Sequence, residues 1–188
     1  MNKELIIRSS SEAVDFALLK DGKLIELHKE EETSNFQVGD IFIAKIRKPV
    51  AGLNAAFVNV GYEKDAFLHY HDLGPNLASQ LKFIKLVSAG KIKDFSLKNF
   101  QFEKEIDKDG TITDVLNANQ SVLVQVVKEP ISTKGPRISA ELSLAGRFIV
   151  LVPFSDRVSI SQKIEDKKEK DRLKKLVHSI KPKGFGVI

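Results

Sequence analysis

The chain opens on short apolar runs punctuated by charged and polar positions. Lys3 to Arg8 (KELIIR), Ala13 to Leu19 and Lys23 to His28 read as three short strands. Asp21-Gly22 between the last two is the dipeptide of a tight hairpin turn, because both residues accept positive φ. The polar run Glu30 to Asn35 (EEETSN) closes this meander, and a second β-rich segment starts at Gly39 with GDIFIAKIRKPVAG. Next comes GLNAAFVNVGYEKDAFLHYHDL, from Gly52 to Leu73. Side chains of a strand point alternately to its two faces, so Ala56, Val58 and Val60 share one face and Ala55, Phe57 and Asn59 the other. After a turn at Gly61, Ala66 and Leu68 share a face opposite Asp65, Phe67 and His69. Two large aromatics therefore lie on the polar side of neighbouring strands. Either they are displayed to a ligand, or they cover the barrel mouth or pack against a loop.

Between Gly74 and Ala118 the alternation fades. LASQLKFIKLV reads as a short helix, and DKDGTITDVLNANQ as a turn followed by another. Alternation returns at Ser121 to Lys128 (SVLVQVVK), and a basic bend, STKGPR, leads into a strand over Ile138 to Leu144. Five strands with a helix before the fourth is the count of an OB-type barrel, so the expected class is α+β, mostly β. The character then changes. RFIVLVPF is a nearly continuous apolar run, suited to a strand buried on both faces. Glu165 to Ile180 carries Leu173, Leu176, Val177 and Ile180 at helical spacing with a charged opposite side, which predicts a surface helix. Pro182 and Gly184 end it, and GFGVI begins a buried strand.

Composition narrows the chemistry. At 188 residues and 42% hydrophobic, the chain can bury one substantial core or two small ones. Thirty Lys and Arg against 25 Asp and Glu give +5, a basic excess compatible with nucleic acid but not diagnostic of it. The absence of cysteine excludes disulfides, thiolate zinc sites and cysteine nucleophiles, and fits a reducing compartment. No apolar run reaches the length of a signal peptide or a membrane span, so the expected location is the cytoplasm, away from membranes. Asp107 and Asp109 in DKDG imitate the start of a calcium loop. Gly110 comes too early, however, and Ala118 stands where the bidentate glutamate belongs, so the segment reads as a turn. His69 and His71 form an H-x-H pair without a third ligand, and no metal site is assigned.

The run from Gly52 to Leu73, the bend TKGPRIS, the segment SLAGRFIVLVPF and the terminal GFGVI together resemble the N-terminal part of the ribonuclease E/G family of bacterial endoribonucleases. The resemblance implies an S-one RNA-binding domain, an OB-type barrel, over residues 36–144, with an inserted loop and helix region at about 74–118. It also implies an incomplete ribonuclease-H-like subdomain made of residues 1–35 and 145–188, into which the barrel is inserted. Phe57 and Phe67 match positions where the family presents aromatics to RNA, and Lys134 matches a lysine near the same surface. Lys45 and Arg47 lie on one strand face by alternation and extend a basic track, to which Arg137 is a further candidate. Gly146 and Val150 match part of the family's 5′-phosphate pocket, whose arginine and threonine have no counterpart here.

The family cleaves RNA with magnesium held by two aspartates and joins protomers through zinc held by cysteines. Neither element is found in this sequence, so no catalytic residue is assigned and the chain alone is expected to be inactive. The expected partner is single-stranded RNA, with homo-oligomers for the parent enzyme. Two alternatives stay open: a stand-alone, non-catalytic RNA- or ribosome-binding module, and a protein-interaction domain that uses the two phenylalanines as anchors.

Overall fold

The structure, a computed structural model, describes residues 2–10, 13–31, 36–92, 96–131 and 134–188, leaving aside the side chains of residues 30 and 31. Most of the polar run at 30–35 and the first two residues of the STKGPR bend lie outside the described residues. The chain falls into two compact units, residues 1–35 and 36–188.

The first unit is the predicted meander. Strands β1 (Lys3–Ser9), β2 (Ala13–Lys20) and β3 (Lys23–Glu31) form one antiparallel sheet in the order β1-β2-β3. Asp21 and Gly22 turn the chain with φ of 49° and 77°, the two positive values that a tight hairpin requires. Leu5 pairs with Leu18 and Ile7 with Phe16 on one face, while Ile6, Ala17 and Leu27 align on the other. Strand β1 is exposed along its whole length.

The second unit is built on a closed barrel of β4 (Ile41–Val50), β5 (Ala55–Asn59), β6 (Ala66–His69), β7 (Ser121–Lys128) and β8 (Arg137–Ser139), ordered β4-β5-β6-β8-β7. Pairing of β4 with β7 closes it, and β6 meets β8 in parallel where Phe67 aligns with Arg137. Alternation fills the interior: Ala44, Ile46, Ala56, Val58, Ala66, Leu68, Val122, Val124, Val126 and Ile138 are all buried in one cluster. Burying each larger aliphatic contributes about 1.5 to 3 kcal/mol. Ile112 and Leu116, from the short helix α2 (Ile112–Val115) and its end, are buried in the same cluster. Phe36 joins it through rings stacked on Phe42 at 5.1 Å and edge-on to Tyr62 at 5.0 Å.

Helix α1 (Leu77–Ser88) packs through Leu77 and Ile84, and a buried glutamine clips it to the barrel. The Gln80 amide donates to the Ala140 carbonyl at 3.0 Å, and its oxygen accepts the Leu123 N–H at 3.3 Å. The DKDG segment is a turn, in which the Asp107 carboxylate accepts the Asp109 N–H at 3.1 Å.

A three-stranded sheet, β11-β10-β9, follows the barrel, formed by β9 (Leu144–Ala145), β10 (Val150–Pro153) and β11 (Phe185–Val187). Helix α3 (Lys167–Ile180) lies between β10 and β11, capped by the Asp166 carboxylate accepting the Lys168 N–H at 2.9 Å. Two expectations need correction here. The strand expected over Ile138 to Leu144 stops at Ser139, whose hydroxyl donates to the Asp72 carbonyl and accepts the Glu141 N–H, turning the chain out of the ladder. RFIVLVPF is not buried on both faces either: Phe148 is 85% exposed and β10 is only half-buried. A run of apolar residues records low polarity, not the number of layers that cover it.

Candidate functional site

The outward face of the barrel answers the question that the phenylalanines pose. Their inward neighbours Ala56, Val58, Ala66 and Leu68 are fully buried, so Phe57 and Phe67 project from the opposite side of β5 and β6. They sit directly across from each other in the ladder, with ring centres 6.1 Å apart and planes at 69°. An edge-to-face pair of this kind stabilises by about 0.5 to 1.5 kcal/mol beyond its buried area. Phe57 remains 37% exposed, so the pair presents ring surface to solvent.

Basic side chains border the pair. A β-bulge between Ile46 and Lys48 sets Arg47 out of register, and Lys48 becomes the residue opposite Phe57. Strict alternation had placed Lys45 and Arg47 together; the bulge adds Lys48, which no local feature of the sequence signals. Lys45 lies opposite Asn59, two positions along the same outward face as Phe57. Lys134 exchanges backbone hydrogen bonds of 3.0 and 3.3 Å with Ile131. Gly135 then passes so near the Asp65 carbonyl that a Cβ there would collide with it, and would stand 2.9 Å from the Lys64 oxygen. This close approach lets the Phe67 N–H reach the Pro136 carbonyl at 3.0 Å, which ties the lysine-bearing bend to the phenylalanine strand.

The arginines are differently placed. Arg137 grips the Asp72 carboxylate with two guanidinium nitrogens, at 2.8 and 3.1 Å, and Arg47 meets Asp65 at 3.1 Å. Both charges are partly offset. Lys45, Lys48 and Lys134 are exposed and have no ion pair among the described residues, so they are the free cations of this face.

Gly146 and Val150 lie elsewhere, on the β9–β10 hairpin. The Gly146 N–H donates to the Ile149 carbonyl at 2.8 Å, which leaves it unavailable to a phosphate. Gly146 lines an open, mainly apolar cleft of about 880 Å³ together with Val38, Gln125 and Leu151. Among the described residues no three His, Asp or Glu side chains gather closely enough to hold a metal ion. No helix among them is long and apolar enough to cross a membrane.

Comparison with known proteins adds an independent line. The model of the Ribonuclease E/G family matches residues 143–188. Ribonuclease G of Salmonella typhimurium is 32% identical over 177 residues, covering 94% of this chain and 32% of that protein. Ribonuclease E of a Nostoc species is 33% identical over 189 aligned residues, covering 100% of this chain and 23% of that protein. A ribonuclease E/G-like protein of Pyropia yezoensis is 38% identical over 156 residues, 82% of this chain and 25% of that protein. The chain thus spans between 23% and 32% of the length of these relatives.

Proposed function

The chain belongs to the ribonuclease E/G family, and from that premise we propose that its barrel is the surface on which an endoribonuclease holds single-stranded RNA. The observation that carries this reading is the in-register Phe57–Phe67 pair, displayed on the outer barrel face beside Lys48 and Lys45. An exposed ring stacks on any base, for about 1 to 3 kcal/mol per base, while unpaired ammonium groups take the phosphates. Such a platform is tolerant of sequence and suits an enzyme that must engage unpaired segments. Lys134 extends the track from the bend beside β6, whereas Arg47 and Arg137 chiefly fix the loops that bear Asp65 and Asp72.

Hydrolysis belongs to the parent enzyme in this reading, with magnesium and zinc held by residues other than those described. The chain alone binds RNA without cleaving it. The absence of cysteine is compatible with work in the cytoplasm.

The test is fluorescence anisotropy of a labelled single-stranded RNA against the wild-type chain and the Phe57→Ala/Phe67→Ala variant, across a salt series. Binding that weakens steeply with salt and drops at least tenfold in the variant is the expected result. Equal binding by both proteins, or binding indifferent to salt, would sink the proposal and favour a protein-interaction surface.

A further inference from the structure

The basic excess of the chain is not spread evenly along it. Residues 163–183 hold nine Lys and Arg against four Asp and Glu, a surplus of five that equals the net charge of the whole chain. The remainder is balanced, so the positive pole lies at α3 and its flanks, outside the barrel strands.

Helix α3 sorts these charges by side. At about 3.6 residues per turn, Lys167, Lys168, Lys174 and Lys175 fall on one side, and Leu173 and Val177, both half-buried, on the other. Neighbouring acids take little from the lysine side. Glu169 holds two Arg172 nitrogens at 2.7 Å, and the Asp166 carboxylate is engaged by the Lys168 N–H. Asp171 is the one acid whose spacing sets it among the lysines. All four lysines are exposed and have no ion pair among the described residues.

Helix stability does not account for this arrangement. The N-terminal end of a helix carries partial positive charge, so cations in the first turn oppose folding, yet α3 begins with Lys167 and Lys168. Asp or Glu at those places would serve a merely solvated face better. Lys167 and Lys174 are seven residues apart, as are Lys168 and Lys175, or about 10 Å along the axis. The result is two parallel rows of free ammonium groups on a rigid rod, with no phenylalanine or tyrosine anywhere in residues 163–183.

Resting on the barrel reading above, we propose that the lysine side of α3 is a second RNA contact, which holds the phosphate backbone of the strand beyond the barrel. The contact is one of charge: ammonium groups reach phosphate oxygens and no ring stacks on a base, so this site does not read sequence. Each contact raises the local concentration of RNA at the other, and an RNA long enough to touch both gains affinity. An anionic membrane is the competing polyanion. A helix that lies on a bilayer turns its apolar stripe to the lipid with its lysines alongside, whereas here the lysines face away from Leu173 and Val177, which are half-buried in the protein.

The experiment compares the wild-type chain with Lys167→Gln/Lys168→Gln/Lys174→Gln/Lys175→Gln. A control carries the same loss of charge at four other exposed lysines, Lys85→Gln/Lys91→Gln/Lys104→Gln/Lys108→Gln. Melting temperatures verify that all three fold. The probes are labelled oligouridines of about 8 nucleotides, within the reach of one barrel, and of about 30. The α3 variant should bind the longer RNA at least tenfold more weakly and the shorter one as wild type does. Its slope of log affinity against log salt should flatten by about 1.4 to 2.8 on the longer RNA, for two to four phosphates at about 0.7 each. The control should stay within about twofold of wild type. Equal losses in both variants overturn the proposal, because net charge alone then explains them, and so does an α3 variant that holds the longer RNA like wild type. Sedimentation with phosphatidylglycerol vesicles that is lost in the α3 variant, while its RNA binding is unchanged, also overturns it and assigns the face to lipid. If Phe57→Ala/Phe67→Ala loses the shorter RNA while the α3 variant changes nothing, only the second contact has failed. If that double variant keeps the shorter RNA, the barrel reading fails and this inference with it.

Discussion

Replacing Asn54 should loosen the end of the barrel from which β5, and with it Phe57, departs. Asn54 takes the left-handed conformation, φ 44° and ψ 45°, between the turn Ala51–Leu53 and β5. Its amide nitrogen donates to the Gly110 carbonyl at 3.1 Å, and its oxygen accepts the Ile112 N–H at 2.7 Å. The side chain thus ties the segment between β6 and β7 to the strand that carries Phe57. Asn54→Ala strands the amide of a fully buried residue, which costs about 1 to 2 kcal/mol, and a left-handed alanine adds about 1 kcal/mol. With the Gly110 bond the loss comes to about 3 kcal/mol. Asn54→Gly keeps the backbone conformation at no steric cost, so it should lose only about 2 kcal/mol. Tyrosine fluorescence is a clean probe in urea, because the chain has two tyrosines, Tyr62 and Tyr70, and no tryptophan. Both tyrosines lie in the second unit. With a slope of about 2 kcal/mol/M, the midpoint should fall by about 1.5 M for alanine and 1 M for glycine. Unchanged midpoints in both variants would refute the reasoning. Equal losses in both would refute its backbone part.

The lysines and arginines should separate in salt titrations of RNA binding. Lys48→Met and Lys134→Met should each flatten the slope of log affinity against log salt by about 0.7, as expected for one phosphate contact on a single strand. Arg137→Met should leave the slope near wild type and instead lower stability by up to about 1 kcal/mol, because Asp72 already holds its guanidinium. A slope change for Arg137 as large as for Lys48 would reverse that assignment. Tyr70 offers a test with pH. Burial first, then the Asp107 carboxylate, raise its phenol above the ordinary value of 10.0. The folded state thus favours the protonated form, so this contribution is complete below about pH 10 and is lost as pH rises through the raised value. Tyr70→Phe should lose the bond to the Asp107 carbonyl, at about 1 kcal/mol, and show a shallower alkaline decline in melting temperature. Identical declines would contradict the shift.

Much of the barrel is legible in the sequence because each of its strands buries one face and wets the other. Alternation over Ala55–Asn59 and Ala66–His69 places Phe57 and Phe67 outward, and the structure agrees. Ser121–Lys128 matches the expected strand from end to end. What escapes such a reading is set by distant partners. The bulge at Arg47 is a feature of the β4–β5 ladder, so Lys48 gains its place opposite Phe57 without any local mark in the sequence. Gln80 and Gln125 look like surface residues in sequence, yet both are buried. Gln125 serves the carbonyls of Gly39 and Ser143, and Gln80 those of the same kind on Ala140. His69 reads in sequence only as half of an H-x-H pair, and the approach of its ring to within 6.4 Å of Phe67 shows only in the structure. The apolar run around β10 resembles a strand covered on both faces, yet it is only half-buried, because hydrophobicity says nothing about how many layers lie above it.

The parallel contact between β6 and β8 has a consequence in time. Phe67 cannot meet Arg137 until the whole intervening segment has been made, and the barrel cannot close before then. At about 5 to 20 residues per second, a ribosome needs several seconds to travel from one to the other. During that interval Ala56 and Val58, which the closed barrel buries, lack the partners that β7 and β8 bring. Because the barrel closes only when β8 arrives, the nascent chain carries uncovered apolar surface for those seconds, the interval in which chaperones that hold nascent chains should matter most to its yield.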